Sequence, residues 1–535
     1  MFSFINISIA LLWTMSALID YSGLCYIWQL KWYRWDRFRD FLATEQGKKF
    51  LRRYDLFYRT FVAIIIFLWP INDKEKLKYI IISFFITDLC VITYRFIKKK
   101  TRYPHISIKA ISIIFASMAI EASWLLITKD WNVLILALIL RFFIIMSSIF
   151  LFNKITKIIK YLYIFLATQK MKKYPHLKVI GITGSYAKTT VKNFLAEILS
   201  SKYKVVKTPK NINSHFGILR FILSTNFRDK DVFIVEIGAD QKGDVNLICN
   251  IIKPTIGILT AVNEQHLATF GSIKNTQSAK YELLRSLPAE GLAITNSDNP
   301  YCREYLHELK THIATFGTEE EYNPTLLITD IKTIREKGVY CKTRITWNDQ
   351  TEERDVQTHL QGEHNIYNLA PCTLACLFLG MRRDEIIEAD TRITQPTNAL
   401  HTYMYGSSTI IDDSYNSNPD GFKAALHLLN SYPSEKKRIV ITRGMIELSD
   451  RSKDIHEQIA GEISFIADEL IITTLDFVEP LKRGAVASKY NLMIRVETDP
   501  QQLLKYIISL KNTDSVILIE NRIPEFIKKE LKKET

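Results

Sequence analysis

The sequence predicts a helical, membrane-spanning N-terminal region followed by two α/β domains. The first is a parallel-sheet, ATPase-like central domain and the second is smaller and Rossmann-like. Three observations predict this. Apolar stretches of bilayer-crossing length crowd the chain before residue 155. From Leu177 onward, short β-rich runs alternate with helical stretches, the pattern of a mostly parallel sheet covered on both faces. Where the first region gives way to the second stands Gly181-Ile-Thr-Gly-Ser-Tyr-Ala-Lys-Thr-Thr190, between the apolar run Leu177–Ile180 and a helix-like stretch from Val191 to Leu199.

The chain has 535 residues, room for roughly three to four domains. The pattern divides it into a transmembrane region at 1–153, an amphipathic linker at 154–174, a central ATP-binding domain at 175–393 and a C-terminal domain at 394–535. Five apolar stretches precede residue 155: Phe4–Leu30, Phe57–Ile71, Leu77–Ile97, Ile106–Thr128 and Trp131–Phe152, the second being the shortest. The first has no basic leader and no small-residue cleavage site, so it reads as a span rather than a removed signal. The segments Lys31–Arg53 and Arg95–Lys109 are rich in Lys and Arg, whereas the turn Lys129-Asp130 is nearly neutral. The positive-inside rule puts both basic segments in the cytoplasm, the N-terminus outside and everything after Asn153 inside. The reading is a multi-pass protein of the inner cell membrane with cytoplasmic catalytic domains.

Asp20, Asp88, Glu121 and Arg141 fall within or near these spans. Intramembrane charge is costly; helix-packing positions are the ordinary account and a proton or substrate pathway the functional one. Lys154–Lys173 alternates basic and apolar residues, as in an amphipathic helix lying on the inner membrane surface.

The formal net charge is +14. Much of it flanks the apolar segments, as cytoplasmic loops require, and no zinc-finger spacing or RNA-binding aromatic signature accompanies it, so nucleic acid is excluded as a partner. The seven cysteines are scattered. Cys372 and Cys376, four apart in a helix-like apolar segment, read as buried thiols rather than a metal pair.

In the α/β part, strands are predicted at Val232–Glu236, Thr255–Thr260, Leu292–Thr295 and His312–Phe316, followed by a polar, strand-rich insertion at Leu326–Leu360. After about Thr394 the alternation restarts at Ser408–Asp412, Arg438–Thr442, Glu469–Thr473 and Ser515–Ile519.

The small-residue turn is a phosphate-binding loop. Backbone N–H groups of Gly184, Ser185, Tyr186 and Ala187 and the positive end of the next helix surround an anion. Lys188 reaches terminal phosphates and the Thr189 hydroxyl can ligate magnesium, with Thr190 in the same first turn. The loop points to ATP as substrate. Glu236 closes an apolar strand, a place from which a carboxylate can hold magnesium. His266 also follows a strand end, while Lys280 on its own reads as a helix-surface lysine.

In order along the chain come G-S-Y-A-K-T-T, E-I-G-A-D, N-E-Q-H-L-A-T-F-G-S, A-K-Y-E-L, N-S-D-N, G-E-H-N-I-Y-N, D-D-S-Y-N-S-N-P and G-M-I-E-L. This run resembles the Mur ligase family of ATP-dependent amide-forming enzymes over about two-thirds of the chain. Asp412–Pro419 most resembles the branch that adds D-alanyl-D-alanine to the peptidoglycan stem. The resemblance implies that Lys188 contacts the β- and γ-phosphates and that Thr189 and Glu236 hold a first magnesium ion. It also implies that His266 helps to hold a second, and that Lys280 is the family's carbamylated lysine, a metal ligand. Asn365 and Asn416 are implied to approach the adenine, and Asp413 the ribose or the domain junction. The implied chemistry is attack of a substrate carboxylate on the γ-phosphate, then displacement of phosphate from the acyl phosphate by an amine. The implied partners are a cell-wall peptide precursor and a dipeptide or amino acid.

Three departures from the family pattern accompany the resemblance. Ala187 stands where a glycine is usual before the lysine, Ala399 in Pro396–Leu400 where an arginine is usual, and Arg443 where a small residue or proline is common. Membrane spans also occupy the place of the family's N-terminal domain, which grips the uridine nucleotide-sugar. A membrane-bound poly-γ-glutamate-type ligase and a nucleotide-binding scaffold without activity are the alternatives.

Overall fold

A computed structural model describes the chain except for residues 1–3, 44–46, 49, 51–57, 62–63, 65–73, 98–102, 131, 240, 264–269, 335–337, 361, 395–399, 415–418, 446–447, 449–450, 488–491 and 532–535. It forms two compact units, Met1–Leu162 and Tyr163–Thr535.

The first unit is helical: α1 (Phe4–Leu30), α2 (Trp35–Ala43), α3 (Lys74–Ile97), α4 (Ile108–Thr128) and the beginning of α5 (Asn132–Met171), with a further helical piece at 58–61. Of the apolar stretch at 57–71, only 58–61 and 64 are described, and they are helical. The Ser107 hydroxyl caps α4 by accepting from the Ala110 N–H, and Lys129 ends it in the left-handed conformation at φ 54°. Tyr21, Trp28, Phe38, Ile113 and Ile145 form a buried centre, with Trp28 stacked on Phe38 at 4.0 Å between ring centroids. Among the described residues, three helices are long and apolar enough to cross a membrane: Phe4–Leu30, Ile108–Thr128 and Val133–Met171. The amphipathic segment does not start a new helix. No helix breaker follows Phe152, so α5 runs unbroken from Asn132 to Met171 as its pattern changes from apolar to alternating.

The second unit holds two sheets. The larger has nine strands: β1 (Lys178–Thr183), β2 (Val205–Lys207), β3 (Val232–Glu236), β4 (Ile256–Leu259), β5 (Leu292–Asn296), β6 (His312–Gly317), β7 (Leu326–Ile334), β8 (Gly338–Trp347) and β9 (Gln350–Thr358). Their order is β2-β3-β1-β4-β5-β6-β7-β8-β9. Pairing is parallel from β2 to β7 and antiparallel for β7–β8 and β8–β9. The polar insertion is therefore an extension of the central sheet. The inner strands read as apolar runs because both faces are covered; every residue of β3, β4 and β5 is buried.

The smaller sheet contains β10 (His401–Tyr405), β11 (Ser408–Asp413), β12 (Arg438–Thr442), β13 (Glu469–Ile472), β14 (Met493–Val496) and β15 (Val516–Glu520), in the order β10-β11-β15-β12-β13-β14. Only the β10–β11 pair is antiparallel.

In the larger sheet β1 lies between β3 and β4, so the chain crosses from one side of β1 to the other after β3. Such a reversal opens a crevice at the carboxyl ends of the strands, where α/β folds bind ligands.

Candidate functional site

Parallel pairing sets the carboxyl ends of three strands side by side, with Ile182 opposite Glu236 and Thr183 opposite Leu259. The chain leaves β1 there, turns through Gly184–Ala187 and enters α6 (Lys188–Leu199). Gly184 has φ +151°, and a Cβ on it would run into Thr260 Oγ1, so glycine alone fits. Thr260 Oγ1 instead donates to Tyr186 O at 2.6 Å. The Ser185 N–H donates to Ala261 O at 2.8 Å, and Ser185 Oγ accepts from the Asn263 N–H at 3.0 Å. The loop is thus tied to the end of β4 on three bonds.

Ala187 caps α6 with φ 63° and ψ −4°, a left-handed conformation that costs an alanine about 1 kcal/mol relative to glycine. The family departure read from the sequence is thus accommodated with strain at Ala187. Lys188 Nζ donates to Gly184 O at 2.6 Å and to Ser185 O at 3.3 Å, curling back over its own loop. Burial lowers the Lys188 pKa, and the Glu236 carboxylate partly opposes that shift.

Glu236, 1% exposed, is held by three side chains. Thr189 Oγ1 donates to Oε2 at 2.9 Å, Lys192 Nζ to the same oxygen at 2.8 Å, and Asn213 Nδ2 to Oε1 at 3.0 Å. Lys192 Nζ also donates to Lys210 O, which ties the turn after β2 to the helix. Lys192 itself has no exposed surface.

Lys280 lies on α9 (Ile273–Arg285, with α7 at His215–Ser224 and α8 at Asp244–Ile252 before it) and is buried rather than on the surface. Its pKa falls well below the usual lysine value, first through burial and then through the positive charge of Lys188. Lys280 therefore lies within electrostatic reach of Lys188 and the phosphate loop.

Lys188, Thr189, Glu236 and Lys280 therefore share one crevice. Asn365 is buried at the start of α10 (His364–Phe378), a helix that packs on α6 through Cys372 Sγ, 3.6 Å from Val191 O. Cys372 and Cys376 are buried free thiols. Asp413 ends β11 in the smaller sheet, paired in register with Glu520. His266, Asn416 and Ala399 lie outside the described residues. Among the described residues, no three His, Cys, Asp or Glu side chains converge as a metal site. The oxygen donors that do meet are Thr189 and Glu236, a set suited to a hard cation such as magnesium.

The sequence reading missed Lys192 and Asn213. Lys192 carried one signal: it sits four residues after Lys188 amid Val191, Phe194 and Leu195, on the face of α6 that turns inward. Asn213 carried none, because its contact depends on where the loop after β2 folds.

Residues 182–376 match the Mur ligase middle domain and residues 401–520 the Mur ligase glutamate ligase domain. Among curated proteins, the chain is similar to the UDP-N-acetylmuramoyl-tripeptide--D-alanyl-D-alanine ligase of Bacillus subtilis, 26% identical over 54% of this chain and 60% of that one. The ligase of the same name from Synechocystis is 30% identical over 54% and 59%, and that of Rickettsia prowazekii 26% identical over 66% and 78%. The chain spans about 60% of the length of the first two relatives. Among solved structures, MurF from Acinetobacter baumannii superposes with a TM-score of 0.62 at 22% identity, over 70% of this chain and 80% of that one. MurF from Thermotoga maritima in complex with ADP gives 0.59 at 23% identity, over 70% and 85%. At these identities the superpositions speak for the fold.

Proposed function

The chain belongs to the Mur ligase family, and from that premise we propose that it is an ATP-dependent ligase of cell-wall precursor synthesis, joining D-alanyl-D-alanine or a similar amine to a peptide carboxylate. The observation that carries the reading is the meeting of Thr189 Oγ1 and Glu236 Oε2, 2.9 Å apart, beside Lys188 at the reversal point of a parallel sheet.

The loop N–H groups of Gly184–Ala187 and the start of α6 bind the nucleotide phosphates, and Lys188, released from Gly184 O, takes the terminal ones. Thr189 and Glu236 would hold a first magnesium ion, His266 would help to hold a second, and Lys280 as its carbamate would be a further metal ligand. Bound there, magnesium would neutralise charge on the transferring phosphoryl oxygens. Burial of Lys280 favours the carbamate, since only the neutral amine adds carbon dioxide. Asn365, Asn416 and Asp413 contact the nucleoside.

The carboxylate oxygen of the acceptor attacks the γ-phosphorus and ADP leaves. The amine then attacks the acyl carbon of the resulting acyl phosphate, the C–O bond to phosphate breaks, and the amine loses a proton. Both steps load negative charge onto oxygens that Lys188 faces.

The division into a membrane region at 1–153, a linker at 154–174 and ligase domains at 175–393 and 394–535 belongs to this proposal. So does an inner-membrane location with the ligase domains in the cytoplasm, which the three apolar helices support. The test is phosphate release by the detergent-purified full chain against a panel of peptide precursors and dipeptides. Release that requires both an acceptor and a dipeptide supports the reading; release indifferent to both refutes it.

A further inference from the structure

Between the strands β7 and β8 and the helices α10 and α11 (Arg383–Asp390) lies a cavity of about 40 Å³. A water needs roughly 10–15 Å³, so there is room for about three. Most of the wall is apolar, with Leu326 and Ile328 from β7, Leu369 from α10 and Ile386 from α11. Two charged side chains also line it, Arg383 and Asp390, at opposite ends of α11.

The guanidinium and hydroxyl groups of the wall are engaged, and the carboxyl is not. Arg383 is committed to the sheet: Nη1 donates to Glu352 O at 2.9 Å and Nη2 to Thr343 Oγ1 at 2.6 Å. The Thr343 hydroxyl donates in turn to Arg354 O, and the Thr373 hydroxyl to Leu369 O, both at 3.3 Å. Asp390 is 7% exposed, and its Oδ1 is buried and meets no donor among the described residues. Burial raises its pKa from 3.8 to about 7, with no neighbouring cation to oppose the shift.

A buried carboxyl without a donor is costly. Water is a poor remedy here, because each molecule needs two to four polar partners and the wall offers mainly hydrocarbon. Asp390 is also the last residue of α11, where the helix dipole disfavours a negative charge and favours a positive one. A cation with an apolar tail answers both: its head takes a charge-assisted hydrogen bond and its carbon atoms take the wall.

We propose that this cavity is a binding site for a short-chain primary amine in its ammonium form, its nitrogen donating to Asp390 and its hydrocarbon lying against Leu326, Ile328, Leu369 and Ile386. Space for about three waters is space for a nitrogen and two carbons. The cavity wall includes α10, the helix that packs on the phosphate-loop helix α6, so a bound amine bears on that helix from the side away from the loop.

The test is ligand-observed saturation-transfer NMR of the detergent-purified full chain, without nucleotide, at about pH 8, where the Asp390 carboxyl is mostly ionised. The chain is titrated with ethylammonium and, separately, with ethanol, its neutral match in size. Ethylammonium should saturate the wild-type chain in the millimolar range, the ceiling for so small a ligand. Ethanol should bind at least about tenfold more weakly, since it carries no charge to pair with the buried carboxylate. Asp390→Asn keeps the shape of the side chain and removes its charge, and should weaken ethylammonium by about tenfold or more. Ala370→Leu fills the cavity from α10 and should abolish binding of both. Failure of the wild-type chain to saturate overturns the proposal, as does ethanol binding as tightly as ethylammonium. So does ethylammonium affinity unchanged in Asp390→Asn or in Ala370→Leu, which would place the amine elsewhere on the chain. The comparison with ethanol needs no variant and decides the matter if either substitution prevents folding.

Discussion

Replacing Lys192 with methionine keeps an unbranched side chain, one atom shorter, and removes its charge. The Lys192 and Glu236 side chains are 0% and 1% exposed, with Nζ 2.8 Å from Oε2. Removing one partner of such a pair strands a buried charge, at a cost of about 3–5 kcal/mol. Glu236 keeps two donors, Thr189 and Asn213, each worth about 1 kcal/mol and free to tighten. The expected loss is therefore about 2–3 kcal/mol, well above the ~0.5 kcal/mol of an ordinary surface lysine. The assay is urea unfolding of the full chain in detergent, in a double-mutant cycle with Glu236→Gln. The double variant should recover most of the loss, giving a coupling near 2 kcal/mol, inside the range measured for residues in direct contact. A single variant within ~0.5 kcal/mol of wild type, or strictly additive losses, would refute the claim that Lys192 is the counter-ion of Glu236.

Lys188→Ala should abolish acceptor-dependent ADP formation while leaving the unfolding profile unchanged; retained turnover removes the loop from the chemistry. Burial lowers the Lys280 pKa, the direction that favours addition of carbon dioxide, so 13C-bicarbonate should give a carbamate carbonyl resonance in the wild-type chain and none in Lys280→Ala, and an identical spectrum from both excludes the carbamate. Burial, aided by the charge of Asp412, raises the Asp413 pKa from 3.8 to about 7. The folded state then binds the extra proton, so this group's stabilising contribution is lost as pH rises from about 4 to about 7 and is flat above that. Asp413→Asn should flatten that slope in thermal melts, and parallel wild-type and variant profiles would contradict it. If the acceptor is held at the membrane, a chain starting at Met171 should process soluble precursor less efficiently than the full chain processes a lipid-linked one; equal efficiency makes the helical unit a simple anchor.

The strands of the larger sheet were legible because burial on both faces leaves an unbroken apolar run, as in Val232–Glu236. The phosphate loop was legible because its geometry demands small residues in a fixed order, down to the Gly184 position with no room for a Cβ. What the sequence concealed depends on partners far along the chain. Lys192 reads as a solvated helix lysine until β3 delivers Glu236, 44 residues later, to the same point. Lys280 looks like a surface residue because only the packing of α9 beneath β1 and β4 takes it from water. The polar insertion at β7–β9 was legible as strands but not in its pairing, which runs from Phe316 to Leu326 and carries the central sheet straight into it. The charges Asp20, Asp88, Glu121 and Arg141 each looked isolated because α1, α3, α4 and α5 supply one apiece, and Arg59, which bonds Asp20 and Asp88, stands in the Phe57–Ile71 stretch that was read only for its apolar residues.

In the proposed reaction a substrate carboxylate is activated by transfer of the γ-phosphoryl group. The most direct measurement supplies the full chain with ATP, D-alanyl-D-alanine and a peptide precursor whose acceptor carboxylate carries 18O, then weighs the phosphate released. Transfer through an acyl phosphate gives one labelled oxygen in each phosphate, formed in step with ADP and with an amide product. Unlabelled phosphate alongside product, or ADP formation without any amide, would contradict it.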